Sequence, residues 1–310
     1  MAQQLMRSAA VVGTGLIGTS IALALRSQGV TPYLIDANPE AARIAAELGA
    51  GVVGAPRVPV DLAVIAVPPQ HVASALRDQQ LKGLAHDFTD VASVKVRPQS
   101  EAAALGCDLT CFVGGHPMAG REQSGPLAAQ VDLFRGKPWI LTPAGGVGRR
   151  TVVRVTELAE LCGARPVTME PDQHDRAMAL VSHTPHVVAS LLASRLLQGD
   201  DSQLRLAGQG VRDATRIAGG DPELWTDILG SNATAVADVL AEFVAELNTV
   251  AGALRDLGAE PSREDSAARA RLHTALVRGV QGRGRIPGAP VRGVPRAAHP
   301  DSEMIGELTR

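Results

Sequence analysis

A chain of 310 residues with a formal net charge of −2 is long enough for two domains, and it has no surplus of cations to displace counterions from a nucleic acid or an anionic membrane. Apolar residues make up 45% of it but aromatics only 2%, so the core must be built from Ala, Val and Leu packed closely on one another. Cys107, Cys111 and Cys162 are an odd set without a CxxC-like pair, which excludes a disulfide framework and reads as reduced thiols rather than a metal site. No apolar run approaches about 18 residues and Met1 to Arg7 has no signal-peptide core, so a soluble, cytoplasmic protein is expected.

Ser8 to Val12 is a short apolar strand, followed at once by Gly13-Thr-Gly15-Leu16-Ile17-Gly18 and by an Ala/Leu-rich helix from Thr19 to about Gln28. Strand, glycines and helix in that order are the context a dinucleotide fingerprint requires. Gly13 makes the turn, Gly15 admits the pyrophosphate to the backbone, Gly18 lets helix and strand pack, and the phosphates sit on the helix N-terminus. A second strand, Pro32 to Asp36, ends in a carboxylate about 20 residues past the glycines, where it hydrogen-bonds a ribose 2′-hydroxyl and repels a 2′-phosphate. NAD is therefore expected over NADP; the alternative for Asp36 is a helix-capping acid before Asn38-Pro39.

Asp61 to Val67 is a continuous apolar run of the buried parallel-strand type, stopped by Pro68-Pro69, and Val67 and Pro68 join Leu16 and Ile17 as expected cofactor neighbours. His86 to Asp90 reads as a further strand whose C-terminal loop carries Ser93 and Lys95, and short strands are also expected at Pro138 to Leu141 and Arg165 to Met169. The run Thr110 to Val113 leads into Gly114-Gly115-His116-Pro117-Met118-Ala119-Gly120. It puts a titratable His116 at a strand's C-terminal end, where open α/β sheets bind ligands, with glycines that leave room for substrate or nicotinamide. Taken alone, His116 reads equally as a hydrogen-bonded loop histidine. Residues 1–171 are thus expected to form a dinucleotide-binding domain of the α/β class, a doubly wound, Rossmann-type parallel sheet.

After Pro171 the apolar period shifts toward 3.6 and strand signals vanish, so residues 172–280 are expected to form an all-helical substrate and dimerisation domain. Asp172 is expected to cap a helix to about Leu197, Gln203 to Ala218 to form a second, and Asp221 with Pro222 to start a third. Trp225, Leu229, Asn232, Val236, Val239, Leu240, Phe243, Leu247, Val250 and Leu254 fall on one stripe of that third helix. The stripe is longer than a small domain covers alone, which points to a homodimer interface rather than an ordinary core helix. A last helix is expected from about Arg263 to Val280, and residues 281–310, rich in Arg, Gly and Pro, read as a disordered tail.

Asp175, Ala179, Ser182 and His186 follow helical spacing and share one face, and Pro185 frees a backbone carbonyl one turn earlier, an irregularity that often marks a site. His183 and His186 beside His174-Asp175 could suggest a metal, but no third group of ligands with metal spacing follows, and none is expected. Arg212 and Arg216, one turn apart, either clamp a carboxylate or sit on a solvated face.

These segments together resemble one family. Gly13-x-Gly15-Leu-Ile-Gly18, Thr89-Asp-Val-Ala-Ser93-Val-Lys95, Gly115-His116-Pro-Met-Ala-Gly120, His174-Asp175, Ser182-His-Thr-Pro-His186, Arg216 and Trp225 occur in the order seen in the prephenate and arogenate dehydrogenases of tyrosine biosynthesis, over about residues 8 to 280. The resemblance implies NAD-dependent oxidative decarboxylation of prephenate to 4-hydroxyphenylpyruvate, with arogenate as the alternative substrate. It also implies that His116 takes the proton of the ring hydroxyl, that Ser93 orients that hydroxyl and the nicotinamide, and that Arg216 holds a substrate carboxylate, with His186 and Glu122 beside the substrate. More distant readings are another NAD-dependent two-domain dehydrogenase, a metal-dependent phosphohydrolase and a non-catalytic NAD sensor.

Overall fold

The structure is a computed structural model that describes residues 6–120, 123–259 and 267–287. Its first part interleaves β1 (Ser8–Val12), α1 (Leu16–Ser27), β2 (Thr31–Ile35), α2 (Pro39–Glu47), β3 (Val52–Val53), β4 (Val60–Ile65), α3 (Val72–Leu81), β5 (Ala85–Asp90), α4 (Val96–Ala104), β6 (Phe112–Pro117), β7 (Pro138–Pro143), α5 (Arg149–Leu161) and β8 (Arg165–Thr168). The strands form one eight-stranded sheet in the order β3-β2-β1-β4-β5-β6-β7-β8, parallel except where β7 runs against β6. The expected doubly wound sheet is present, with the short edge strand β3 and the reversal at β7 as additions that apolar periodicity does not reveal.

The chain first winds outward through β2 and β3, then crosses back to β4, so the order reverses between β1 and β4. The ends of parallel strands β1, β4, β5 and β6 therefore open on one crevice. Helices cover both faces. One core gathers Ile21, Leu25, Leu34, Phe134, Trp139 and Leu158, and the other Ile65, Val72, Leu76, Phe88 and Phe112. At the sheet's opposite edge buried Arg154 reaches the Asp87 carboxylate and the Asp61 carbonyl oxygen, and Thr151 donates to Asp87, fastening α5 under β4 and β5.

Gly114 and Gly115 have a different purpose from the one their sequence position implied. A Cβ at Gly114 would meet the Thr142 hydroxyl and the Gln99 amide, and one at Gly115 the Asp90 carbonyl oxygen, 2.6 Å away, and the Trp139 indole nitrogen. The protein's own side chains fill that space, so the glycine pair lets β6 fit between β5 and β7. Of the three glycines flanking His116, only Gly120 has open space around it.

The helical part keeps the expected start at Asp221-Pro222 but departs from expectation at other boundaries. α6 (Pro171–Met178) starts with Pro171 at its first position and Glu170 as the cap residue, so Asp172 lies in the first turn and is not the cap. A π-helical turn, Ala179–His183, then leads into α7 (Thr184–Arg195). The second helix is split into α8 (Asp201–Leu204) and α9 (Gln209–Thr215), followed by a 3-10 turn from Arg216 to Gly219. The third breaks at Asn232 into α10 (Pro222–Ser231), capped by Asp221, and α11 (Ala233–Ala259). The last described helix, α12 (Ala267–Gly284), takes in the first residues of the expected tail; residues 288–310 lie outside the described residues.

By contacts the chain divides into two compact units, residues 1–239 and 240–310. In the second, Arg271 pairs with Asp256 and Arg278 with Glu246, while Phe243, Val244, Leu247, Leu254, Leu276, Val277 and Val280 are exposed. The composite helix Pro171–Gln198, 28 residues long, contains an 18-residue window with the mean hydropathy of a membrane span, 1.2. However, its His174, Asp175, His183 and His186 are buried among polar and aromatic partners, as in the core helix of an enzyme.

Gly115→Ala is expected to lower the unfolding free energy by about 1–3 kcal/mol through overpacking against strand backbone. Gly120→Ala, in open space, should stay within about 0.5 kcal/mol of wild type. Urea midpoints at an unchanged slope measure both.

Candidate active site

On the cofactor side, Gly13 adopts φ +100°, and a Cβ there would strike the Ala66 carbonyl oxygen; a Cβ at Gly18 would strike the Gly13 carbonyl oxygen. Gly15 has nothing within 4 Å of that position, and the helix it precedes has neither a side-chain cap nor an acid in its first turn. The exposed N–H groups and positive dipole end of α1 thus face free space, the surroundings a pyrophosphate needs. Asp36 stands beside this loop: its Oδ2 accepts from Thr14 N at 2.5 Å and Thr14 Oγ1 at 2.8 Å, and its Oδ1 from Asn38 N at 2.8 Å. Asn38 caps α2, so Asp36 is free of the capping role. Ile17 and Val67 are half-buried and Pro68 exposed near the crevice, whereas the Leu16 side chain belongs to the core.

His116 lies at the end of β6. Its Nδ1 is 2.8 Å from His174 Nε2, and His174 Nδ1 is 2.7 Å from Asp175 Oδ1. Asp175 also accepts from the backbone N–H groups of Lys95, at 2.8 Å on Oδ1, and Val96, at 3.0 Å on Oδ2, so a side chain of α6 caps the N-terminus of α4. Beneath His116 the fully buried Lys95 ammonium donates to both Asp90 oxygens, at 2.6 and 2.8 Å, and to the Gly115 carbonyl oxygen at 2.5 Å; Gly115 N donates back to Asp90 at 2.8 Å. The pair ties the residue preceding His116 to β5.

Burial lowers the His116 pKa well below its usual 6.5, and the neighbouring His174, Lys95 and His183 lower it further, so the ring is a neutral acceptor at neutral pH. Burial likewise pushes Lys95 below, and Asp90 above, their usual values, each opposed by its partner.

The π turn rearranges the expected helix face. It inserts one residue into the register, so His183 rather than Ser182 is fully buried beside His174, Asp175 and Ala179. Asn232, at the break between α10 and α11, donates to the Asp175 carbonyl oxygen at 2.8 Å and lies 3.0 Å from His183 Nδ1. Burial pushes His183 down to about 4, against the pull of Asp175. The His186 ring stacks on Trp225 at 3.6 Å and 9°, and its buried Nδ1 has no hydrogen-bond partner among the described residues, a donor-acceptor position left for a ligand.

Ser93 is half-buried in the loop after β5, and Arg212 and Arg216 are both exposed, on α9 and in the turn after it. Arg121 and Glu122 lie outside the described residues. Among the described residues no group of three or more His, Cys, Asp or Glu side chains could hold a metal ion. Asp90 and Asn232 were missed as site residues, and Lys95, His174 and Asp175 were read without their roles.

A switch-point crevice, an open glycine loop at a helix N-terminus and a half-buried, neutral histidine at the end of β6 define a nucleotide-binding protein of the α/β class. Residues 21–168 match the nucleotide-binding domain of prephenate dehydrogenase and residues 170–266 its dimerization domain. The chain is 44% identical over 290 residues to the probable prephenate dehydrogenase NovF of Streptomyces niveus, covering 91% of this chain and 78% of that one. The Aquifex aeolicus prephenate dehydrogenase, solved with hydroxyphenyl propionate and NAD+, superposes with a TM-score of 0.77 at 28% identity over 92% of this chain and 99% of that one. Synechocystis arogenate dehydrogenase follows at 0.70 and 27%, over 89% and 98%. This chain belongs to the prephenate dehydrogenase family.

The depressed histidines make stability depend on pH. His183 titrates near 4 when folded, against 6.5 otherwise, so the unfolded chain binds its proton first as pH falls. The stabilisation is complete above about 6.5 and lost between there and 4, on the order of 3 kcal/mol. Thermal midpoints should fall steeply from pH 6.5 to 4.5, and less steeply in His183→Gln.

Proposed function

We propose that this chain is a soluble, cytoplasmic, homodimeric NAD-dependent prephenate dehydrogenase that forms 4-hydroxyphenylpyruvate, with His116 as its general base. The observation that carries this reading is the neutral His116 ring at the mouth of the crevice, its Nδ1 occupied by His174 and its other nitrogen available to a substrate hydroxyl. Prephenate is preferred to arogenate because the relative of highest identity named above is called a prephenate dehydrogenase.

Bound NAD would lie on the open glycine loop, with Asp36 at its ribose, and would take the hydride from the carbinol carbon. His116 takes the hydroxyl proton as that carbon becomes a carbonyl. The ring carboxylate then leaves as carbon dioxide, its bonding electrons pass through the diene to the carbonyl oxygen, and His116 returns the proton to give a phenol. Aromaticity supplies much of the driving force, so the protein must chiefly hold the ring, orient the hydroxyl and keep the base neutral. Ser93 orients the hydroxyl and the nicotinamide. Arg216 binds a carboxylate as a permanent cation, and His186 offers its free nitrogen to the substrate while Trp225 braces it. Glu122, outside the described residues, is assigned to the substrate by the family resemblance alone. Residues 1–171 bind the dinucleotide and 172–280 form the substrate and dimer domain, a division close to that between the two family models. The exposed apolar residues of α11 and α12, with the matched dimerization domain, support the homodimer.

The test follows NADH formation from prephenate and arogenate at matched concentrations. His116→Asn should lower kcat by about 10²-fold or more while NAD affinity holds. Since the base works only when unprotonated, wild-type kcat/KM should be flat from pH 6.5 upward and fall only below that value. Wild-type kcat in the variant would remove His116 as base, and a kcat/KM for arogenate more than about tenfold above that for prephenate would reverse the substrate choice.

Asp36→Ser should narrow the preference for NAD over NADP by removing the charge that repels a 2′-phosphate. Because Asp36 also accepts from Thr14, the same variant should weaken binding of both cofactors. Titration by protein fluorescence quenching measures each.

A further inference from the structure

We infer that His174 and Asp175 are positioning residues that fix the tautomer of His116, so that its only lone pair lies on Nε2. This rests on His116 being the base, and it concerns where the protons of two buried rings must sit.

Asp175 receives two backbone N–H groups, from Lys95 and Val96, at the N-terminus of α4. Both of its oxygens already hold backbone donors at the positive end of a helix, so the face it turns to His174 is an acceptor. The short contact from His174 Nδ1 to Asp175 Oδ1, 2.7 Å, therefore requires the proton on His174 Nδ1. Where His174 carries only that proton it presents a bare Nε2, and the 2.8 Å contact with His116 Nδ1 then requires a proton on that nitrogen. His116 is left with one lone pair, on Nε2. The opposite tautomer of His116 would put Nδ1 against His174 Nε2 with no proton between them, two lone pairs at hydrogen-bond distance.

His174 is fully buried, so water does not compete for either of its nitrogens. The backbone is fixed as well: Asn232 donates to the Asp175 carbonyl oxygen at 2.8 Å, and Lys95 holds the Gly115 carbonyl oxygen just ahead of His116. An acid orienting an imidazole is the logic of a serine-protease triad, in which the carboxylate sets the tautomer without taking the proton. Here a second imidazole is interposed, so the information crosses two rings.

Nitrogen-15 spectra of histidine-labelled protein read the tautomers directly, without substrate. At neutral pH, His116 should show a protonated Nδ1 and a bare Nε2, and His174 a protonated Nδ1. In turnover, His174→Leu removes the acceptor and should cost kcat about 10²-fold or more, with NAD affinity unchanged. His174→Gln keeps an oxygen to accept from His116 Nδ1 and should restore kcat to within about tenfold of wild type. A protonated His116 Nε2 in the wild-type spectrum overturns the inference, as does full kcat in His174→Leu or a His174→Gln variant no better than the leucine. The spectra stand whether or not His116 proves to be the base, whereas His116→Asn tests that role alone.

Discussion

The Asp175 carboxylate is the point on which the rest of the site depends. Its side chain caps α4 and orients His174, while the backbone carbonyl oxygen of the same residue receives Asn232 from the break between α10 and α11. A buried charge of this kind is costly unless every lone pair finds a donor. Here the donors come from separate parts of the chain, so satisfying the charge and assembling the site are one event. The loop after β5, the first helix past the sheet and the helical break at Asn232 cannot reach their places independently.

The Asp90–Lys95 pair has a similar function beneath His116. Neither residue touches the crevice, and both are buried to within 1% of completely. Their contacts run from the end of β5 to both polar groups of Gly115, the residue before His116. A hydrophobic pair of the same volume could stabilise this region as well or better, but it would not fix the height of β6 relative to β5. The glycine pair in β6 belongs to the same constraint, because only strands without side chains at those positions can approach so closely.

Much of the nucleotide half was legible in the sequence, because its signals are local. Gly13, Gly15 and Gly18 each have the environment their spacing implied, and Asp36 closes β2 beside them. His116 was found for its place after an apolar run. What escaped was non-local: that Asp175 would cap a helix 80 residues earlier, or that Lys95 would be buried, depends on pairings between distant segments. The helical half was read less well, since periodicity shows an apolar face but not its interruptions. Asn232 looked like one polar position within a stripe, yet it ends α10 and turns its amide inward. Pro185 did announce an irregularity; whether the helix would kink or add a residue depended on packing that sequence does not display.

That added residue in the turn Ala179–His183 has a consequence for how such a site could arise. Each residue of an α-helix advances about 100° around the axis, so one extra residue rotates everything after it relative to everything before it. His174 and Asp175 lie before the turn, His183 and His186 after it, and all four are buried. A regular helix from Pro171 to Arg195 would keep Asp175 and His186 on one face but would turn His183 about 180° away from His174. The extra residue brings His183 back beside His174 and Asp175 without turning His186 out, so all four side chains share the buried face.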